Sequence, residues 1–317
     1  MTKSKIEWTE KVWNTIRGCA LVSAGCKNCY AMKQAYRFDS PGQPYDGLTE
    51  MGPTGARWTG KARFVSDMVD RPLDWKLPCV VFVNSMSDLF HADVTNEQIA
   101  AVFGVMAACP QHTFQILTKR PERMLEWFKW IERFEHPNIL GCLHVSLCDA
   151  MQVQGDWDPD VLHCEELLSA EWPLPNVHLG VSCENQEAAD ERIPILRSIP
   201  AALRWVSAEP LLAEVKLPLD GIDWVVVGGE SGPGARQCCV EWIEKIVRDC
   251  KGALVPVFVK QLGAAYVDSA NAIGGAQTKP VPEYGPITKL RHAKGGDMSE
   301  WPVSLRVREY PTRPEQT

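Results

Sequence analysis

Short apolar runs alternate with amphipathic stretches along most of the chain. The runs are rich in β-branched residues and several are apolar on both faces, as buried parallel strands are; they lie at 80–84, 113–119, 177–182, 203–207, 224–228 and 255–260. Between them, apolar residues repeat at helical spacing over 95–108, 121–134, 186–198 and 239–251. This alternation predicts a parallel α/β fold.

Polar residues follow nearly every predicted strand, at 85–88, 118–120, 182–185, 207–210, 229–232 and 260–261. Strand ends that all carry polar groups are typical of a (β/α) barrel, whereas an open doubly wound sheet concentrates them at one switch point. We therefore expect an α/β fold with a partial or full (β/α) barrel. One domain, 1–317, would comprise a barrel core of about 10–265, an insertion at about 135–175 and a C-terminal extension at about 266–317. The Gly- and Pro-rich residues 39–61 are expected to form a long loop or lid.

The composition limits which partners the protein is expected to bind and where in the cell it is expected to be. The chain has 317 residues, 45% of them hydrophobic, and a net charge of −7, so a nucleotide or nucleic acid could bind only through a local patch. No signal peptide opens the sequence and no apolar run approaches the roughly 20 residues of a membrane span. The twelve cysteines have no regular disulfide spacing. These features predict a cytoplasmic protein without a membrane partner.

Three cysteines near the start, Cys19, Cys26 and Cys29, have C-x6-C-x2-C spacing. Thiolates spaced in this way can converge on one metal centre, and three protein ligands on a [4Fe–4S] cluster leave one iron open to chelate S-adenosylmethionine. Electron transfer into that molecule generates a radical. The alternatives are a structural zinc site completed by a histidine such as His91, and three unligated thiols. Iron and sulfur are favoured because no second Cys or His pair at zinc-like spacing follows.

The predicted strand ends supply further candidates. Glycines at 228–229 could expose N–H groups to a ligand or simply form a tight turn. Lysines there could bind a carboxylate or phosphate, and glutamates could hold an amine or ribose hydroxyls or act as acid or base, although each is also a possible surface charge or ion pair. The candidates for catalysis are Glu184, Glu209 and Lys119, and those for cofactor binding are Ser85, Ser87, Asp88, Ser182, Gly228, Gly229, Glu230 and Lys260.

Together with the cysteine loop, the motifs at 117–124, 179–186, 207–212, 227–236 and 259–263 resemble one family: the phage three-cysteine family catalogued as gene product thirty-seven / sixty-eight. The resemblance extends to the ending, 294–308. That family is similar to radical S-adenosylmethionine enzymes, which implies a partial (β/α) barrel and a [4Fe–4S] cluster ligated by Cys19, Cys26 and Cys29. The commonest spacing in those enzymes is C-x3-C-x2-C, so the first interval is longer here.

The resemblance also implies a function. Phage relatives suggest modification of bases in phage DNA: an isomerase or other base-modifying enzyme acting on hypermodified thymidine, in the host cytoplasm, with an external electron donor. Two alternatives stay open. One is a zinc-stabilised module that binds nucleic acid or a protein partner, and the other is a radical S-adenosylmethionine enzyme acting on a protein or small metabolite.

Overall fold

A computed structural model describes residues 4, 6–53, 55–135, 138–151, 164–268, 288 and 290–311. Its strands are β1 (Lys11–Trp13), β2 (Ile16–Gly18), β3 (Thr49–Gly52), β4 (Gly55–Trp58), β5 (Ala62–Phe64), β6 (Val80–Val83), β7 (Thr113–Thr118), β8 (Val177–Ser182), β9 (Leu203–Ala208), β10 (Trp224–Gly228), β11 (Cys238–Cys239), β12 (Val257–Gln261) and β13 (Tyr266–Val267). Its α-helices are α1 (Tyr30–Tyr36), α2 (Asn96–Ala107), α3 (Pro121–Ile131), α4 (Asn138–Met151), α5 (Cys164–Leu168), α6 (Gln186–Ser198) and α7 (Val240–Gly252).

Seven strands form the main sheet, in the order β1-β6-β7-β8-β9-β10-β12. The pairs β1–β6, β6–β7, β9–β10 and β10–β12 are parallel. The order follows the chain without reversing, as in a (β/α) barrel and unlike a doubly wound sheet. Within the described residues β1 and β12 are edge strands, so the sheet is not a closed barrel. The α/β class and the parallel sheet are confirmed.

The strands and helices predicted from the apolar pattern are present at nearly the predicted positions. Local sequence explains where the helices begin. Thr95 and Gln98 form a capping box at the start of α2, each side chain binding the other residue's backbone N–H. Pro121 occupies the first turn of α3, where its missing N–H costs nothing.

The chain divides into two compact units, and each is discontinuous in sequence. The first comprises Met1–Ser23, Cys29–Gly180 and Ser198–Leu203, and the second comprises Ala24–Asn28, Val181–Arg197 and Arg204–Thr317. The cysteine loop contributes Cys19 and Cys29 to the first unit and Cys26 to the second. Organisation as one domain stays a prediction.

In the first unit, α2 is buried on nearly all sides because α4 packs closely against it. A Cβ atom at Gly104 would lie 2.8 Å from the carbonyl oxygen of Leu143, so this contact requires glycine. Phe103 and Trp127 extend the core with ring centroids 4.3 Å apart. Helix α4 lies in the predicted insertion at 135–175, where sequence periodicity did not reveal it; residues 136–137 and 152–163 of that insertion lie outside the described residues.

The predicted loop at 39–61 contains more structure than expected, because β3 and β4 form an antiparallel hairpin within it. In the second unit, Trp205 and Trp224 pack at 5.4 Å between ring centroids. Residues 307–309 bond along β12: Val259 N donates to Val307 O and Glu309 N donates to Val257 O. The C-terminal extension thus covers an exposed strand edge, although 269–287, 289 and 312–317 lie outside the described residues. None of the helices in the described part of the chain is both long and apolar enough to cross a membrane.

Candidate functional site

In the first unit, the residue after β6 holds the strand that leads to the first cysteine. Asn84 adopts a left-handed backbone conformation, φ 56°, which asparagine tolerates better than most residues. Its side-chain oxygen accepts the N–H groups of Thr15 at 2.8 Å and Ile16 at 3.1 Å. Strand β2 begins at Ile16 and ends one residue before Cys19. Sequence patterns did not single out Asn84.

Asp88 is the centre of a buried network. Its carboxylate accepts the Thr118 hydroxyl at 2.8 Å, the backbone N–H groups of Phe90 and Lys119 at 3.0 and 3.2 Å, and the Arg120 guanidinium at 2.7 Å. These donors occupy most of the lone pairs of the carboxylate. Asp88, predicted to bind a cofactor, therefore joins the ends of β6 and β7, and its predicted binding role is untested.

Arg120 connects that network to Cys19. Both terminal guanidinium nitrogens lie 3.9 Å from the Cys19 sulfur, and one donates to Ala20 O at 3.0 Å. Burial lowers the pKa of Arg120, but the charges of Asp88 and Cys19 outweigh it and hold the pKa above its ordinary value. A guanidinium at this distance favours the thiolate form of a cysteine. The sequence motif at 118–120 drew attention to Lys119, whereas the residue that contacts the cysteine is Arg120.

The predicted serines brace the same region. The Ser85 hydroxyl donates to Asn14 Oδ1 at 3.2 Å, and the Ser85 carbonyl accepts the Tyr30 hydroxyl at 2.7 Å. The Ser87 hydroxyl donates to Ile16 O at 2.8 Å. Both hydroxyls thus bond to the N-terminal segment. Binding of a cofactor by either serine stays a prediction.

The cysteines divide into two classes by exposure. Cys19, Cys26 and Cys29 are partly exposed, as are Cys142 and Cys148 on α4, whereas the cysteines at positions 79, 109, 183, 238, 239 and 250 are buried. Burial raises the pKa of Cys109 to about 12 and that of Cys250 to about 12. Such thiols stay protonated near neutral pH and are poor ligands or nucleophiles. The loop cysteines are accessible by comparison.

In the second unit, Cys26 is the last residue of a short helical turn, Ala24–Cys26. The buried carboxylate of Glu184 bonds to the backbone of this turn. Glu184 is fully buried and accepts the Gly25 N–H at 3.1 Å. A Cβ at position 25 would lie 3.0 Å from the Glu184 carboxyl carbon, so the glycine allows this approach. Arg192 neutralises Glu184 at 3.1 Å. The predicted acid–base residue Glu184 is thus an internal support of the Cys26 turn.

A second carboxylate, Glu230, holds the other side of this turn. It accepts the Asn28 side-chain amide at 2.9 Å and pairs with Arg236 at 2.5 Å. Arg236 also donates to Ala24 O at 2.8 Å. Burial raises the pKa of Glu230, but the hydrogen bonds from Arg236 and Asn28 more than offset it and lower the pKa. Asn28 and Arg236 were not among the predicted residues.

The glycines at 228–229 have a packing role. A Cβ on Gly228 would lie 2.8 Å from Glu209 Oε1, and one on Gly229 would lie 2.3 Å from Leu262 O. Both glycines therefore allow close approach of neighbouring groups, including the segment that follows β12. Ligand binding by these glycines is a separate prediction, which the packing does not test.

The remaining predicted residues differ in their partners. Lys260 forms an ion pair with Glu209 at 3.2 Å. The carbonyl of Ser182 accepts Arg192 at 2.7 Å. Lys119 donates its backbone N–H to Asp88; among the described residues its ammonium has no acidic partner. Of the predicted cations at strand ends, Lys119 is the one whose charge the described chain leaves uncompensated.

The donor set of the cysteine loop consists of three accessible sulfurs, which suits iron–sulfur ligation. As placed, no group of three or more His, Cys, Asp or Glu side chains in the described residues could hold a metal ion. His91, the alternative fourth ligand for zinc, is buried; burial and the Arg120 charge lower its pKa, and its Nδ1 accepts the Asp93 N–H at 3.2 Å.

Comparison with known proteins gives one kind of match. The model of a family described as "Protein of unknown function (DUF5131)" matches residues 3–299. No curated protein and no solved structure matches the chain significantly.

Proposed function

For this chain, which belongs to the DUF5131 family, we propose the function of a radical S-adenosylmethionine enzyme. Cys19, Cys26 and Cys29 would ligate three irons of a [4Fe–4S] cluster and leave the fourth for the amino and carboxylate groups of S-adenosylmethionine. When bound, this pair supplies a carbon radical able to remove hydrogen from an unactivated C–H bond. The parallel sheet would then be the partial (β/α) barrel of that superfamily.

The observation that carries the proposal is the contact between Arg120 and Cys19. Among the described cysteines most are buried, but the first thiol of the loop is partly exposed and lies 3.9 Å from a guanidinium whose other partner is Asp88. A positive group fixed at a sulfur is what a thiolate ligand requires. A protein that used these cysteines only for packing would gain nothing from burying a cation beside one of them.

Contacts within the second unit, between two carboxylates and the Cys26 turn, also support the proposal. Glu184 and Glu230 bind the backbone and side chains of 24–28 and so restrict where the Cys26 turn can go. Neither carboxylate is free to serve as a general base in this state, because each is paired with an arginine. We assign both to positioning the loop, and retain Lys119 and the Glu209–Lys260 pair as candidates for contact with substrate.

For substrate we propose a nucleobase, in the concrete form of a modified thymidine that the enzyme isomerises. The uncompensated ammonium of Lys119 could bind a phosphate or a carboxylate on such a base. The Glu209–Lys260 pair is part-exposed at the ends of β9 and β12, on either side of β10, and offers both a donor and an acceptor. An external electron donor would be needed, because reductive cleavage of S-adenosylmethionine consumes an electron.

The test is metal analysis of protein prepared without oxygen. We expect about four irons and four sulfides per chain, and an electron paramagnetic resonance signal of the reduced protein that changes when S-adenosylmethionine is added. Cys19→Ala, Cys26→Ala and Cys29→Ala should each lose most of the iron. Cys142→Ala and Cys148→Ala are matched controls, because these thiols are also partly exposed but lie on α4; they should keep it.

The alternative function, a zinc-stabilised binding module, predicts zinc in place of iron and sulfide in the same metal analysis. Stoichiometric zinc in a colourless protein, with no iron–sulfur spectrum after reconstitution, would overturn the proposed function. Formation of 5′-deoxyadenosine on addition of reductant and S-adenosylmethionine is the second readout. This readout can be obtained without knowing the substrate, by measuring the uncoupled background cleavage of S-adenosylmethionine.

A further inference from the structure

Two arginines face each other across the small sheet that precedes the cysteine loop. Strands β2 and β5 are antiparallel, and Arg17 lies directly opposite Arg63 in their register. Side chains at directly opposed positions share one face of the sheet. Like charges in that arrangement destabilise the fold. A pairing that costs stability suggests that an anion occupies this face when the protein works.

The same loop, at residues 44–45, is within reach of Arg63 and feels the charge of Arg17. Arg63 donates to the carbonyl of Pro44 at 3.2 Å. Arg17 acts on the neighbouring Tyr45: burial raises the pKa of that hydroxyl, and the Arg17 charge opposes the increase. The two arginines therefore share their surroundings as well as their strand register.

No carboxylate in the described part of the chain forms an ion pair with either arginine. The acidic group bonded to their sheet is Asp93, whose carboxylate accepts the Ala62 N–H at 2.8 Å and lies 3.8 Å from His91. The Asp93 carboxylate is thus engaged with the backbone of this sheet. Apart from the Arg63 donor bonded to Pro44 O, the two guanidinium groups have no hydrogen-bond partner among the described residues and can donate to an external one.

The surrounding sequence is basic in a chain whose net charge is −7. Residues 11–65 contain Lys11, Arg17, Lys27, Lys33, Arg37, Arg57, Lys61 and Arg63 but, as acids, only Asp39, Asp46 and Glu50. All three acids are occupied locally: Asp39 binds the Thr49 hydroxyl and two backbone N–H groups, Asp46 binds the Gly42 N–H, and Glu50 pairs with Arg57 at 2.8 Å. The excess positive charge is therefore not cancelled within this segment.

We propose that Arg17 and Arg63 form a binding site for phosphate groups of a nucleic-acid strand. The guanidinium fork matches the oxygens of a phosphodiester, and two forks side by side can hold one phosphate or two successive ones. Arg17 lies two residues before Cys19 in the chain, so a strand held here enters beside the proposed cluster loop. This inference rests on the proposed function for the substrate being a nucleobase, and it adds that the base is presented in a polymer.

The experiment measures binding of a fluorescein-labelled single-stranded oligodeoxynucleotide to the full-length, anaerobically reconstituted protein by fluorescence anisotropy. Arg17→Gln/Arg63→Gln should weaken binding about tenfold or more at low salt. The slope of log affinity against log salt should become shallower by about 1.5, because two phosphate contacts are lost on a single strand. Arg57→Gln is the matched control: its partner is Glu50, so its removal should leave affinity and slope nearly unchanged.

Folding is checked separately by thermal unfolding. The double variant should unfold at the same temperature as the wild type or slightly higher, because it removes a repulsion. Equal oligonucleotide affinity of the double variant and the wild type overturns the proposal. If thymidine monophosphate competes as strongly as an unlabelled oligonucleotide, the site recognises free nucleotides and the polymer assignment is wrong. Iron content is measured on the same samples, so loss of the cluster and loss of binding are read independently.

Discussion

The two parts of the cysteine loop are supported in different ways. In the first unit a cation reaches the sulfur itself: Arg120 lies 3.9 Å from Cys19 Sγ and is anchored by Asp88. In the second unit buried carboxylates hold the backbone around Cys26, through Gly25 and Asn28. The first arrangement can adjust the electronic properties of a ligand, whereas the second determines where a ligand can be. The proposed cluster would need both functions, and different residues would supply them.

The side chains that hold the two parts of the loop differ in how deeply they are buried. The side chains of Glu184 and Arg192 are 1% and 4% exposed, whereas Arg120 is 15% exposed. Removing a partner from a fully buried ion pair leaves a charge without water or counter-charge. We therefore expect the carboxylate supports to matter most for stability and the guanidinium contact to matter most for the chemistry of the sulfur.

The largest effect should follow Glu184→Ala. The substitution leaves the buried Arg192 guanidinium without its counter-charge and the Gly25 N–H without its acceptor. The free energy of unfolding should therefore fall by about 3–5 kcal/mol. Urea denaturation measures this directly. Glu184→Gln keeps an acceptor for Gly25 and should cost less than the alanine variant. Iron content after reconstitution should follow the same order if the carboxylate positions the loop.

Glu209→Gln is the control for this comparison. Glu209 also pairs with a cation at a strand end, but its side chain is 13% exposed and that of Lys260 is 22% exposed, so their pair should contribute less to stability than the more deeply buried Glu184–Arg192 pair. If Glu184→Gln and Glu209→Gln reduce stability equally while Glu184→Gln retains full iron, then Glu184 does not position the Cys26 turn.

How much of the fold the sequence predicts depends on the length and burial of each element. The strands of the main sheet from β6 to β12 carry apolar runs, and their positions were predicted within a few residues. Strand β1, Lys11–Trp13, was missed because a three-residue edge strand leaves almost no periodic pattern. Helix α4 was missed because apolar residues such as Val145 also lie on its exposed side, so its one-sided pattern is weak.

A medium effect should follow Glu230→Gln. Its pKa is lowered in the folded protein, so the ionised carboxylate stabilises the fold at pH values above the ordinary 4.5, and this stabilisation is lost as the pH falls through the lowered value. Near neutral pH the variant should lose about 1–2 kcal/mol. The difference between wild type and variant should shrink as the solution is acidified below pH 4.5, which urea denaturation at several pH values would show. A difference that stays constant with pH would mean that the charge of Glu230 contributes nothing.

The site was harder to predict than the fold. Cys19, Cys26 and Cys29 stood out because three ligands share one short loop, and Glu184 and Glu230 because acids at strand ends are informative. Their roles were not visible, since an internal ion pair and a catalytic acid have the same sequence. Asn84, Arg120, Asn28 and Arg236 were missed for a related reason: each acts on a residue distant in sequence, at separations of up to 212 positions, and only tertiary structure shows such partners.

The smallest expected effect is a shift in redox potential, and Arg120→Gln, which should produce it, is the sharpest test of the comparison. Removing a positive charge beside a ligand sulfur disfavours the added electron, so the midpoint potential of the reconstituted cluster should become more negative, on the order of tens of millivolts. Potentiometric titration followed by electron paramagnetic resonance measures it. Arg120→Lys retains the charge and should shift the potential less. Arg123→Gln is the control on the same helix, because Arg123 bonds to Asn96 and the Val94 carbonyl. Equal potentials in Arg120→Gln and Arg123→Gln would show that the Arg120 guanidinium only binds Asp88. Arg120 would then have no effect on the sulfur that the carboxylates near Cys26 lack.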